Sequence, residues 1–202
     1  MAGLIEAVGL PVQAFGSATE FLALKPVAAE GCLVLDVEMP EMNGLDLQRE
    51  MNSAGISLPV IFLTGHGDIP MTVHALKAGA VHFLTKPVRE DELMSAIRQA
   101  LETGRKGRSE RAEIRTIRER FDLLAPRERQ VMQLVVSGWL NKQIAHELGI
   151  SERTVKLHRG QVMRKMCAAS LADLVKQGEK LGQLRSGARN DGEVSRASSS
   201  SR

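Results

Sequence analysis

The chain has 202 residues, enough for one or two domains that each bury a core. Its 43% hydrophobic and 25% charged residues are globular in balance, and no apolar run reaches membrane-helix length. There is no signal pattern, and the two cysteines, Cys32 and Cys167, lack metal spacing and read as buried or incidental thiols of a reducing cytoplasm, which argues against membrane-spanning and secreted disulfide classes. The net charge of +3 hides an asymmetry: residues 1–104 hold 6 Lys/Arg against 13 Asp/Glu, and residues 105–202 hold 21 against 11. An acidic front and a basic back suggest a sensing module joined to a nucleic-acid binder.

In chain order, residues 12–15 read as a short strand. Ser17-Ala18-Thr19-Glu20 is a capping box opening a helix that carries Phe21, Leu22 and Leu24. Residues 33–36 are an aliphatic run too short for a helix and read as a buried parallel strand ending in Asp36. A helix follows over 44–54, then a second buried strand over 60–65 ending at Thr64. Asp68-Ile69-Pro70 opens another helix, with Pro70 in its first turn, running to Gly79. A third strand over 80–87 ends in Lys86-Pro87, and residues 90–103 form a final amphipathic helix. This alternation predicts an α/β, doubly wound parallel sheet over residues 1–103.

Thr103 to Ser109, with Gly104 and Gly107, breaks the pattern and reads as a linker. Ile114, Ile117, Phe121 and Leu124 recur at helical spacing, so residues 104–121 contain a connector helix whose apolar side docks on a domain and whose arginines could touch phosphates. Residues 122–181 hold four helical segments. Beyond them, residues 182–202 turn to Ser, Arg, Gly and Asp and read as a disordered tail.

Asp36 stands at the carboxyl end of its strand, where open α/β sheets bind ligands. Alone it is a nucleophile, a metal ligand or a loop-capping Asp. Three consecutive strands, however, bring Asp36, Thr64 and Lys86 to one sheet edge. That set suits phosphoryl transfer: the carboxylate attacks, the hydroxyl donates to a phosphoryl oxygen and the ammonium neutralises another.

The order D-x-x-M-P-x-M-x-G (36–44), V-I-F-L-T-G-H-G-D (60–68) and K-A-G-A-x-x-F-L-x-K-P (77–87) resembles the receiver domain of two-component response regulators, in wording near the FixJ branch. That fold is a flavodoxin-like sheet. The resemblance implies Asp36 as phosphoacceptor, Thr64 and Lys86 as the phosphate-sensing pair, Phe83 as the aromatic switch, and the Glu38 backbone carbonyl as a Mg²⁺ ligand beside Asp36. Residues 1–10 match the second half of the family's first helix, so the first strand and its acidic, Mg²⁺-holding pair are expected to be missing. Either the start codon is placed too late or the receiver is damaged, and Mg²⁺ binding is in doubt in the chain as written.

In the basic half, Pro126 opens a helix with Val131, Met132, Leu134 and Val135 on its core face. The only Trp, Trp139, reads as packing near that helix's end. Residues 141–150 form a short helix and Gly turn, and Ser151 caps a long helix over 152–166. This is a helix-turn-helix. A wheel puts Val155, Val162 and Met166 on one core stripe, with Arg153, Leu157, Gly160, Gln161 and Arg164 opposite and Lys156 flanking. Pro126-Arg127-Glu128-Arg129, Asn141-Lys142-Gln143-Ile144-Ala145 and Leu148 to Arg159 closely resemble the LuxR-type helix-turn-helix of FixJ/NarL-type regulators. The resemblance implies Lys156, Leu157 and Gly160 at base-reading positions and Lys142 and Thr154 on phosphates, while the wheel turns Arg159 toward the core. Ala125 stands where the family usually has Thr or Ser, a lost N-cap worth about 0.5–2 kcal/mol. Residues 170–180 are the fourth helix, in the family a dimer contact on DNA. His66, His74 and His82 fall on a loop, a helix and a strand with no ligand spacing, and His146 and His158 sit in the helix-turn-helix.

The leading expectation is a cytoplasmic, non-enzymatic response regulator. A sensor histidine kinase phosphorylates Asp36, the face bearing residues 69–77 and 81–85 rearranges, the chain forms a homodimer, and it binds double-stranded DNA to control transcription, with RNA polymerase as a further partner. The alternative is a phosphorylation-independent DNA-binding regulator with a degenerate receiver. A phosphatase-like hydrolase is disfavoured because no second carboxylate is placed to activate water.

Overall fold

The computed structural model describes residues 2–7, 9–23, 30–65, 73 and 75–182. The expected helix start at 68–70, Leu24, His66, His74 and the tail beyond Gly182 lie outside them. The chain divides at Ser109/Glu110 into two compact units.

In the first unit, α1 (Ala2–Ala7) and α2 (Ala18–Ala23) precede β1 (Leu33–Asp36), α3 (Gly44–Ser53), β2 (Val60–Thr64) and β3 (His82–Thr85). The strands form a parallel sheet in the order β1-β2-β3, with Asp36 opposite Leu63 and Thr64 opposite Thr85. Every residue of β2 is buried. A central strand covered on both faces explains its unbroken apolar text. Side chains alternate across the sheet. Phe62 joins Phe21, Leu35, Leu47 and Met51 on one side, and Ile61 joins Ile5, Leu93 and Ile97 on the other.

The capping box forms at α2: Ser17 Oγ accepts from Glu20 N at 3.1 Å, while Glu20 reaches back to Gly16 N at 2.7 Å. Residues 12–15, expected as a strand, are not one. They pair with no strand among the described residues, and their apolar side chains pack directly instead. Val12 sits against the cluster containing Ile5, and the Phe15 ring meets Phe21 edge-on at 5.4 Å.

The expected linker at 103–109 is helical too. One helix, α4, runs unbroken over Glu90–Asp122. Each glycine costs a helix about 1 kcal/mol relative to Ala, which is not enough to stop it without a proline. Gly104 is there for packing: a Cβ on it would stand 2.9 Å from Pro59 Cγ. The Glu102–Lys106 pair at 2.7 Å supports the same turn at i,i+4 spacing.

The second unit holds α5 (Pro126–Val136), α6 (Asn141–Leu148), α7 (Glu152–Lys165) and α8 (Leu171–Lys180). Its core contains Val131, Met132, Ile144, Val155, Val162, Met166 and Leu174, all at 1% exposure or less. Ile117 and Phe121 of α4 and Leu124 join that core, so the connector's apolar side docks on the helical unit. Trp139 follows the C-terminal end of α5, where its N–H donates to Leu134 O at 3.0 Å, and its side chain is 37% exposed. Gly149 caps α6 at φ +63, the left-handed geometry that a tight helix-turn-helix requires.

Candidate functional site

The strand ends build one polar edge in the first unit. Asp36 closes β1, and its Oδ1 accepts from the Glu38 N–H at 3.2 Å, holding the loop after the strand. Val37 N donates to Leu63 O at 2.8 Å and Gly44 N to Val37 O at 3.0 Å, so the loop is pinned to β2 and to the start of α3. Lys86 N donates to Thr64 O at 2.7 Å, which continues the ladder past β3. The Lys86 ammonium forms an ion pair with Asp36 Oδ2. Thr64 is 1% exposed at the end of β2. Phe83 is half-buried, lies opposite Phe62 in register, and their rings are 6.2 Å apart. Carboxylate, hydroxyl and ammonium thus share one sheet edge, with the carboxylate and the cation already in contact.

In the second unit, Ser151 Oγ accepts from Thr154 N at 3.1 Å and lies 2.8 Å from Thr154 Oγ1, which starts α7 with its first turn satisfied. Arg153, Lys156, Leu157, Gly160 and Arg164 are exposed along α7, and Thr154 is half-buried. Leu157 is 61% exposed, an unusual apolar surface on an otherwise basic face. A Cβ on Gly160 would touch nothing within 4 Å, so that position leaves open room. Lys142 is exposed on α6. Arg159, turned toward the core by the wheel, is half-buried and donates to Asn141 Oδ1 at 2.9 Å. It ties α7 to α6 instead of facing outward.

The response-regulator receiver model matches residues 1–98, and the luxR-family model of bacterial regulatory proteins matches residues 122–177. Response regulator protein TodT of Pseudomonas putida is 50% identical over 181 residues, covering 90% of this chain and 80% of that protein. Transcriptional regulatory protein FixJ of Rhizobium meliloti is 45% identical over 168 residues, 83% of this chain and 82% of its own length. The solved structure of response regulator StyR superposes with a TM-score of 0.72 at 45% identity, over 88% of this chain and 90% of that one. This chain belongs to the FixJ/NarL-type response regulators. It is a transcription regulator with a LuxR-type DNA-binding domain, not an enzyme. No helix among the described residues is long and apolar enough to cross a membrane.

Sequence reasoning missed one polar centre of the response regulator. Glu128 is 6% exposed, accepts from Lys165 Nζ at 2.6 Å and from Ala125 N at 2.7 Å. Burial works to raise its pKa. The Lys165 hydrogen bond, the Ala125 N–H and the Lys165 and His158 charges outweigh that and hold it below the usual carboxylate range. Glu128 therefore supplies the reciprocal half of a capping box whose other half Ala125 cannot make. Arg129 donates to Leu124 O at 3.1 Å and Asp122 O at 2.8 Å, closing the end of α4, and lies 5.3 Å from the centre of the Phe121 ring. The available signal was Glu three residues after the cap position; nothing in the text pointed to Lys165.

Proposed function

We propose that the regulator takes a phosphoryl group on Asp36 from a sensor histidine kinase and converts it into DNA binding by its helix-turn-helix. An Asp36 oxygen attacks phosphorus of the donor phosphohistidine, a P–O bond forms, the P–N bond breaks, and the imidazole leaves. Lys86 exchanges the Asp36 carboxylate for a phosphoryl oxygen, and the Thr64 hydroxyl donates to another. Phe83, on β3 opposite Phe62 and two residues before Thr85, carries the change to the face of residues 69–77 and 81–85. Homodimerisation and contact with RNA polymerase follow in this reading. On DNA, Lys142 and Thr154 hold phosphates, Lys156, Leu157 and Gly160 face base edges, and Arg153 and Arg164 flank them. The observation that carries the reading is the Lys86–Asp36 pair at the carboxyl edge of the sheet.

Receiver domains typically bind Mg²⁺. Among the described residues no three His, Cys, Asp or Glu side chains cluster as ligands. Asp36, held by Lys86, and the Glu38 carbonyl do not by themselves fit an ion that demands about six oxygens, so no step is routed through it. That donor set favours a second reading, a regulator whose DNA binding is independent of phosphorylation. Incubation with phosphoramidate and intact-mass measurement separates the two. A one-phosphoryl mass gain, absent in Asp36→Asn, supports the first. DNA affinity unchanged by the treatment, with no mass gain, supports the second.

A further inference from the structure

One surface of the second unit is used by neither site. Arg111, Arg115 and Arg118 recur at i, i+4 and i+7 on α4, so they share one face of that helix. All three are exposed, and none has an ion-pair or hydrogen-bond partner among the described residues. Ile117 and Phe121, which are buried in the core of the LuxR-type module, lie about 100° round the helix from this stripe. Glu113, on the far side of the helix, pairs with Lys180 at 2.5 Å, whereas Glu119 at i+4 from Arg115 and Asp122 at i+4 from Arg118 border the stripe without an ion pair to it. Asp122 closes the same stripe at its C-terminal end.

Three unpaired guanidiniums on a rigid helix are costly neighbours to one another and are relieved by a polyanion. At 1.5 Å rise per residue the stripe spans about 10 Å. That is roughly the axial length of three phosphates of one DNA strand at about 3.4 Å each. The helix carrying the stripe is fastened to the DNA-binding module near the C-terminus of α7. Arg120 Nη1 donates to Met166 O at 3.3 Å and Lys165 Nζ to Leu123 O at 3.4 Å.

We infer that Arg111, Arg115 and Arg118 form a second duplex-backbone contact, which extends the footprint beyond the helix-turn-helix. The inference rests on the DNA-binding reading above. Backbone contacts carry affinity and salt dependence but no sequence information.

The test uses the full chain, a long duplex containing its selected site, and affinity measured across salt concentrations. Replacing all three arginines with Ala should lower the slope of log affinity against log salt by about 2–3 units. Replacing all three with Lys should restore it, and the selected DNA motif should be the same in both. A Gln triple variant, which keeps a polar side chain without the charge, should match the Ala variant. Circular dichroism checks that α4 persists, since Ala and Gln are both good helix formers. A slope equal to the parent's in the Ala and Gln variants overturns the inference while leaving the DNA-binding reading intact. So does an altered motif. A parent chain that binds no duplex at all overturns both.

Discussion

Gly44 is the position where structure and helix propensity make opposite predictions. It opens α3, and Ala there would favour a helix by up to about 1 kcal/mol. Yet an added Cβ would stand 2.5 Å from the Asp36 carbonyl oxygen, 3.0 Å from Phe62 Cε1 and 3.2 Å from Leu35 Cγ. The nearest atom is backbone, and it cannot swing aside as a long side chain would. Asp36 is held in the β1–β2 ladder opposite Leu63, the next residue's N–H donates to Leu63 O at 2.8 Å, and Phe62 is fully buried beneath. Relief therefore requires moving the loop after β1 or the first turn of α3. Overpacking of this kind costs about 1–3 kcal/mol. Net of propensity, Gly44→Ala should destabilise the receiver by about 1–2 kcal/mol and lower its melting temperature by about 4–8 °C per kcal/mol. Calorimetry reads that shift. Fluorescence of Trp139, the only Trp and part of the helical module, should report an unchanged second transition. Phosphoramidate labelling of Asp36 should slow as well. A receiver that melts at the same or a higher temperature would refute the reasoning, because propensity would then outweigh the contact.

Other outcomes follow from the helical module. Because Glu128 is held below the ordinary carboxylate range in the folded chain, its stabilisation is present above about pH 4.3 and fades as pH falls through its lower folded value. Glu128→Gln should remove that acid limb and cost about 1–3 kcal/mol at neutral pH, read by Trp139 fluorescence in urea; an identical pH profile in parent and variant would count against it. Lys156→Ala or Leu157→Ala should each cost about 1–3 kcal/mol on the selected site and far less on random DNA, and a library selection returning the parent motif with full discrimination would remove that residue from base reading. Val155→Asp buries an unpaired carboxylate at a position with 0% exposure and should unfold the module, so retained near-parent Trp139 unfolding would contradict its place in the core. Asp36→Asn should abolish phosphoryl transfer without changing the basal DNA affinity.

Local pattern was enough to read the strand ends, the caps and the recognition helix. The aliphatic runs at 33–36 and 60–64 can be buried only as parallel strands, so Asp36 and Thr64 had to lie at the same edge. The 3.6-residue period put Val155, Val162 and Met166 inside and left Leu157 outside. What the text could not decide depended on partners distant in sequence. Residues 12–15 alternate like a strand, but a strand exists only with a ladder partner, and none is present for them among the described residues. Gly104 reads as a breaker until Pro59 is placed against it, and then it is a packing glycine inside an unbroken helix. Glu128 reads as an exposed helix-start carboxylate until the fold brings Lys165, thirty-seven residues on, to within 2.6 Å. Periodicity and capping are local and survive in one dimension; close approaches and buried ion pairs are set only when separate elements pack.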